Sequence, residues 1–149
     1  MKITEYQTVL NDMRLPMVRE ARRWNVDTVT TPLDVARAAR LIFGDAADEH
    51  VWVFCLNTKG RVTGAFEASH GTVNASIMNP REVFRTALLM DATRVVLCHN
   101  HPSGDVTPSG DDVTTTHRFV EAGKLLGVPV LDHIIVGDGY HSMAEHGEV

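Results

Sequence analysis

Two histidines and one aspartate in the second half of the chain have the types and spacing of metal ligands. His99 and His101 follow an apolar run at alternate positions, and alternate side chains of a strand point to the same face of a sheet. Asp112 follows three residues after Ser109, a residue type that is typical of a helix N-cap. Imidazole and carboxylate groups bind zinc, and three protein ligands leave a fourth position for water, as in catalytic zinc sites. These residues therefore predict a catalytic zinc site.

Each part of this pattern also has a simpler explanation. Two alternating histidines can be ordinary residues of a strand, and Asp112 can form a capping box with Ser109 at the start of a helix. The segment between them contains two prolines and two glycines, which favour a tight and irregular loop. The combination favours the metal site, with Asp112 acting both as a ligand and as an acid of the first helical turn.

The segment HNHPSGDVTPSGDD, residues 99–112, resembles the signature of the JAB/MPN (JAMM) metalloprotease-like domains. It is most similar to the RadC branch of that family, and the resemblance extends over about residues 31–146. The resemblance implies a cytidine-deaminase-like α-β-α sandwich with a mixed sheet. It also implies that zinc is bound by His99, His101 and Asp112.

The resemblance further implies a glutamate general base at the start of an early strand, and Glu49 fits that position. Glu67 and Glu82 are alternatives that spacing does not exclude. Ser109 occupies the position of the family's oxyanion-stabilising serine, although plain helix capping would also explain it. His133 lies in a segment that resembles the RadC branch, where it is either a residue that orients a ligand or a hydrogen-bonded core histidine.

Hydrophobic periodicity and capping signals predict the elements that position these residues. Helices are predicted at residues 32–43, 80–91 and 109–126, and strands at residues 51–56, 61–68, 73–77, 94–100, 128–136 and 140–143. Residues 1–30 have partly helical apolar spacing and are predicted to form an extension packed on a domain of residues 31–149. The order of elements predicts an α/β sandwich of mixed strand direction, with the site at the end of a central strand.

Length and composition exclude several classes of protein. The chain has 149 residues, which fits one domain, and we expect neither a signal peptide nor a membrane span, because nothing at its start resembles a signal peptide and no stretch approaches the length that a bilayer needs. Cys55 and Cys98 lie in apolar runs, which indicates a reduced cytoplasmic protein. The net charge of −5 makes nucleic acid an unfavourable partner for this chain alone, despite the cluster Arg19, Arg22 and Arg23. The sequence does not determine the oligomeric state, and it is compatible with a homo-oligomer.

Three functional hypotheses remain. The first is a zinc-dependent hydrolase of peptide or isopeptide bonds that acts on a protein or peptide substrate. The second is a DNA-repair or mobile-element accessory protein that acts by binding, with little or no hydrolytic activity. The third is a non-haem iron oxygenase that uses two histidines and a carboxylate, although the short loop and Ser109 count against it.

Overall fold

The fold combines one mixed sheet with helices on both faces. The computed structural model describes residues 2–26, 29–71 and 78–149. Within these ranges the elements are β1 (Lys2–Leu10), β2 (Pro16–Asn25), α1 (Pro32–Phe43), β3 (Glu49–Leu56), β4 (Val62–Gly71), α2 (Pro80–Leu89), β5 (Arg94–Asn100), α3 (Gly110–Leu126), β6 (Val130–Gly137) and β7 (Gly139–Ser142). The strand predicted at residues 73–77 lies outside the described residues.

The seven described strands form one sheet in the order β2-β1-β4-β3-β5-β6-β7. β3 runs antiparallel to both β4 and β5, whereas β5 and β6 are parallel and β1 is parallel to β4. The predicted α/β class with mixed strand direction is therefore confirmed. β5 lies between β3 and β6, so the segment that carries the two histidines is an inner strand, as predicted.

The two faces of the sheet bury separate apolar clusters, because strand side chains alternate between the faces. Trp52, Phe54 and Cys98 pack with α1 on one face. Val51 and Leu97 pack on the other face, together with residues of α2 and α3. Because His99 follows Leu97 by two positions, it belongs to the face covered by α2 and α3.

The N-terminal segment differs from its partly helical sequence pattern. β1 and β2 form an antiparallel hairpin, and β1 joins the edge of the sheet next to β4. Most residues of β2 are exposed, so its side chains show no inward-facing alternation that could reveal a strand. A register irregularity between Glu5 and Tyr6 further blurs the period of β1.

The start of α3 has the capping geometry that the sequence predicts. The Ser109 side chain accepts a bond from the amide of Asp112, and the Asp112 side chain accepts one from the amide of Ser109. Gly127 ends the helix in the left-handed conformation, at φ 73°. None of the helices in the described ranges is both long and apolar enough to cross a bilayer.

Candidate metal centre

Three side chains from two elements converge at the end of β5. The Nε2 atoms of His99 and His101 lie 2.9 Å apart. Asp112 places one carboxylate oxygen 3.3 Å from His99 Nε2 and the other 3.1 Å from His101 Nε2. The side chains of His99 and Asp112 are almost fully buried, and that of His101 is 12% exposed. This group, called the metal centre below, is reached from solvent on the His101 side.

The partner of His101 fixes which of its nitrogens carries a proton. His101 Nδ1 lies 2.6 Å from the carbonyl oxygen of Asp105. A carbonyl oxygen only accepts, so Nδ1 must donate its hydrogen to it. In the neutral ring, Nε2 then carries a lone pair that points into the metal centre.

A longer hydrogen-bond chain fixes the proton of His99. Thr116 Oγ1 lies 2.6 Å from the carbonyl oxygen of Asp112 and 2.6 Å from His133 Nδ1. The hydroxyl has one hydrogen and must give it to the carbonyl, so His133 Nδ1 donates to the hydroxyl oxygen. His133 Nε2 is then the acceptor for His99 Nδ1, at 2.7 Å. In the neutral ring, His99 Nε2 then has a lone pair, like His101 Nε2.

Electrostatics favour a neutral His133 and a charged Asp112. Burial lowers the pKa of His133 well below its ordinary value, with a further decrease from His99, which keeps the His133 ring neutral. Burial acts to raise the pKa of Asp112, but hydrogen bonding and charge from His99 outweigh it, so the net pKa is lowered. Asp112 is therefore a carboxylate.

The donor set fits zinc. Two imidazole lone pairs and one carboxylate face each other within a buried space, where like partial charges repel strongly. A divalent cation at their meeting point would turn that repulsion into attraction, and nitrogen and oxygen donors are those that zinc prefers. His99, His101 and Asp112 would hold such an ion.

Glu49 is the predicted base whose position agrees best with the metal centre. Val51 pairs with His99 in the ladder between β3 and β5, so Glu49, two residues earlier, faces the same side of the sheet. The described ladder ends with the pair of Val51 and His99, so it brings the start of β3 beside the end of β5. Glu67 pairs with Trp52 on the α1 face instead, and its carboxylate contacts His50 Nδ1 at 2.7 Å. Glu82 lies in the exposed first turn of α2.

The Asn100 side chain fixes the backbone around Glu49, a role that the sequence pattern does not predict. Its side-chain oxygen accepts from the amide of His50 at 2.6 Å, and its side-chain nitrogen donates to the carbonyl of Asp48 at 3.0 Å. The one side chain therefore binds the chain on both sides of Glu49. Alternation of side chains turns Asn100 away from the metal centre, so ligand spacing gave no signal for this role.

The loop after β5 is fastened to the neighbouring strand. The amide of His101 donates to the carbonyl of Val136 at 2.8 Å, and the amide of Asp138 donates to the carbonyl of Gly104 at 2.8 Å. A Cβ atom on Gly137 would lie 2.6 Å from the Gly104 oxygen, so only glycine permits this approach. His101 is consequently held by backbone bonds as well as by Asp105.

A cavity of about 520 Å³ opens beside His101. Its walls include His101 and Asn100 from the end of β5, Arg40 and Phe43 from α1, and Asp138 from the turn after β6. The cavity therefore offers apolar and charged groups next to the most accessible ligand. Ser109 is exposed at the start of α3, and its capping bond uses the oxygen and leaves the hydroxyl hydrogen available for donation.

Asp132, the neighbour of His133, has a structural network of its own. Its buried carboxylate accepts bonds from the hydroxyl of Ser142 and the amide of Ala144, and from the amide of His133 at 2.7 Å. These bonds tie β6 to the chain that follows β7. Asp132 thereby fixes the position of the C-terminal turn relative to the backbone of His133.

The mixed sheet with helices on both faces is consistent with a fold of the JAB/MPN type, and the grouped histidines and aspartate at the end of an inner strand could hold a metal ion. A family model described as "RadC-like JAB domain" matches residues 29–148, and the chain belongs to that family.

Curated relatives agree with this family. The chain is 46% identical over 134 residues to a UPF0758 protein of Rubrobacter xylanophilus, covering 90% of this chain and 58% of the relative. It is 46% identical over 120 residues to a UPF0758 protein of Staphylococcus epidermidis, covering 80% and 53%. The chain thus spans about half the length of these relatives.

Proposed function

We propose that the protein is a zinc-dependent hydrolase that cleaves peptide or isopeptide bonds in a protein or peptide substrate. The observation that supports this best is the convergence of two imidazole nitrogens and a carboxylate. Three such ligands leave a coordination position for water or substrate. The RadC-like JAB family and the cavity beside His101 are consistent with this activity.

Zinc bound at the metal centre would supply Lewis acidity, lowering the pKa of water and polarising a carbonyl group. In our proposal Glu49 takes the proton of the attacking water and returns it to the leaving amine. The Ser109 hydroxyl donates its hydrogen to the oxygen that becomes negative as the carbonyl carbon turns tetrahedral. Thr116 and His133 hold His99 in the tautomer that binds metal.

Two further observations bear on partners and location. Among the arginines of β2, Arg22 pairs with Glu5 at 2.8 Å and Arg23 pairs with Glu20 at 2.7 Å, which reduces the positive charge open to phosphates. We therefore propose a protein or peptide partner rather than nucleic acid. Cys55 and Cys98 are buried free thiols, which supports the cytoplasm as the proposed location.

The test is a comparison of wild type with Glu49→Gln. Zinc content is measured by mass spectrometry under native conditions, and hydrolysis is measured on a panel of peptide-linked and isopeptide-linked fluorogenic substrates. We expect one zinc at the metal centre in both proteins and a loss of rate of about 100-fold or more in Glu49→Gln, the range for a removed general base.

Glu67→Gln is the matched control, because Glu67 is a glutamate on the opposite face of the sheet. It should keep the wild-type rate. Full activity of a zinc-loaded Glu49→Gln protein would remove Glu49 from the mechanism. Absence of zinc from the metal centre after reconstitution would contradict the proposed function itself.

A further inference from the structure

A second group of metal-ligand side chains lies on β7 and the turn that follows it. His141, His146 and Glu148, called the C-terminal cluster below, each offer one ligand atom, and these atoms lie within 4.8 Å of one another. The rings of His141 and His146 stack with centroids 4.0 Å apart. His141 Nε2 lies 2.6 Å from a carboxylate oxygen of Glu148. We propose that the C-terminal cluster binds a second divalent transition-metal ion of the zinc class.

One nitrogen of the C-terminal cluster is already prepared as a ligand. His146 Nδ1 lies 2.8 Å from the carbonyl oxygen of Ser142, so Nδ1 carries the hydrogen of that bond. In the neutral ring, His146 Nε2 then has a lone pair. A histidine that donates its other N–H to a backbone carbonyl is the usual arrangement of a metal-binding histidine.

The backbone that carries these ligands is firmly anchored. The amide of Met143 donates to the carbonyl of His133, and the amide of Ala144 donates to the buried carboxylate of Asp132. The amide of Glu148 donates to the carbonyl of Met143 at 2.8 Å, which brings Glu148 back towards β7. The turn is therefore in place before any ion binds, so only side chains need to move.

The distances suit such an ion after a small adjustment. Zinc binds nitrogen and oxygen at about 2.0–2.2 Å, so tetrahedral ligand atoms stand about 3.3 Å apart. The present separations, from 2.6 Å to at most 4.8 Å, bracket that value. An ion would replace the proton between His141 and Glu148, and His146 Nε2 would complete a site with two imidazoles and one carboxylate while Nδ1 keeps its bond to Ser142.

The C-terminal cluster is separate from the metal centre. His99 pairs with Ile135 across the β5–β6 ladder, and Ile135 pairs with His141 across the β6–β7 ladder. Two strand spacings separate His99 and His141 by about 10 Å. Two ions that share a reaction lie about 3.5–4 Å apart, so the second ion would be bound independently.

A third histidine group is a weaker candidate. His50, Glu67 and His70 also have ligand atoms within 4.8 Å of one another. His70 and Glu67 are exposed, and His70 Nε2 contacts Asp48 only at 3.4 Å. The described contacts of these histidine nitrogens are to carboxylates, and in those contacts neither ring donates to a backbone carbonyl as His146 does.

The variant that tests the proposal is His146→Asn. The asparagine amide can replace Nδ1–H as donor to the Ser142 carbonyl, whereas the Nε2 donor is lost. Zn²⁺ is titrated against a chromophoric chelator, and the number of ions bound and their affinities are measured. His117→Asn is the matched control, because His117 is an exposed histidine of α3 outside the three groups described.

We expect His146→Asn to bind one zinc ion fewer than wild type, or to bind that ion at least about tenfold more weakly, which corresponds to about 1.4 kcal/mol. His117→Asn should bind as wild type does. The expected difference between wild type and His146→Asn does not depend on whether the metal centre holds zinc. If the metal centre were empty, wild type would bind one zinc ion at the C-terminal cluster and His146→Asn would bind none.

A second measurement uses hydrogen exchange of the amides in residues 143–148. Zinc should slow their exchange in wild type and in His117→Asn, and leave it unchanged in His146→Asn. Equal ion numbers and equal affinities in wild type and His146→Asn would overturn the proposal and leave His141 and Glu148 as an ordinary hydrogen-bonded pair.

Discussion

The metal centre and the C-terminal cluster use the same donors, two imidazoles and one carboxylate, but differ in what surrounds them. The metal centre joins a strand to a helix, and its donors His99 and Asp112 are nearly inaccessible to solvent. The C-terminal cluster lies within one short segment of chain, and the side chains of His141 and Glu148 are 15% and 32% exposed. Burial strengthens the electrostatic attraction between ligands and ion.

The hydrogen bonds behind the ligands differ as well. His99 is backed by a chain through His133 and Thr116 to the carbonyl of Asp112, so one ligand supports another. In the C-terminal cluster, His146 is backed by a single backbone carbonyl. Outer partners of this kind change metal affinity by about 10–100-fold. The metal centre should therefore bind zinc more tightly than the C-terminal cluster.

Asp112→Asn should have the largest effect on the difference in zinc affinity between the metal centre and the C-terminal cluster. The asparagine oxygen can still accept the bond from the amide of Ser109, but the charge that balances the ion is lost. We expect zinc affinity at the metal centre to fall by at least about 100-fold, beyond the range for outer partners. Competition with a chelator measures this affinity.

The control for that variant is Asp111→Asn, which neutralises the neighbouring exposed acid of the same helical turn. It should leave zinc affinity within about twofold of wild type, because surface charges are largely screened. An equal loss in both variants would mean that the helix start, rather than a ligand, was disturbed.

Thr116→Val should have the next largest effect on the metal centre. Valine keeps the shape of threonine but deprives His133 Nδ1 and the Asp112 carbonyl of the hydroxyl between them. We expect zinc to bind about 10–100-fold more weakly at the metal centre, with unchanged affinity at the C-terminal cluster. The measurement is the same chelator titration.

Thr115→Val provides a matched comparison on the same helix. The Thr115 hydroxyl is buried without a hydrogen-bond partner among the residues described, so its removal breaks no bond there. Zinc affinity should be unchanged, and the protein should be equally or slightly more stable. If Thr115→Val weakened zinc binding as much as Thr116→Val, the hydrogen-bond chain would not be the cause.

Asn100→Ala should affect stability rather than metal binding. The change leaves the amide of His50 and the carbonyl of Asp48 without the side chain that joins them. We expect the free energy of unfolding to fall by about 1–3 kcal/mol, because two hydrogen bonds are lost and each contributes about 0.5–1.5 kcal/mol. Urea denaturation measures it, and faster exchange of the His50 amide should accompany it. A large loss of zinc affinity in Asn100→Ala would contradict the assignment of Asn100 to stability rather than to metal binding.

The smallest effect is expected for the reaction of the two cysteines with a thiol reagent. Burial raises the pKa of Cys55 to about 12 and raises the pKa of Cys98 as well, so both thiols stay protonated at pH 8. A thiol reagent at that pH should label neither residue in the folded protein and both in urea. Labelling of native Cys98 would show that the strand next to the metal centre opens readily.

The sequence predicted the middle of the chain well because local signals and burial agree there. Thr31 and Ser109 begin their helices as N-caps, and the apolar run from residue 51 to 56 is an inner strand with its residues buried. The converging histidines followed from the two-residue period of a strand. Where packing fixes which side faces inward, residue type alone therefore indicates structure.

The sequence predicted less where tertiary pairing decides. The N-terminal hairpin has an exposed outer strand, so no buried face marks its period. Asn100 acts through backbone atoms of a strand about fifty residues away, which no local pattern can reveal. Thr116 did leave a signal, because a residue four positions after Asp112 lies on the same helix face. The spacing becomes informative only once the structure shows that His133 lies opposite Thr116.

The hairpin also gives the molecule an edge that is weakly paired to the rest of the sheet through its backbone and is held mainly by side-chain packing, with Ile3 in the core and Trp24 against Trp52. β1 pairs with β2 at nine registered positions but with β4 at one, Glu5 with Ala65. Units joined to the rest of a fold by few ladder bonds exchange their amides through local unfolding, below the energy of global unfolding. Because β4 and β3 separate this edge from β5, its fluctuations leave the metal centre intact.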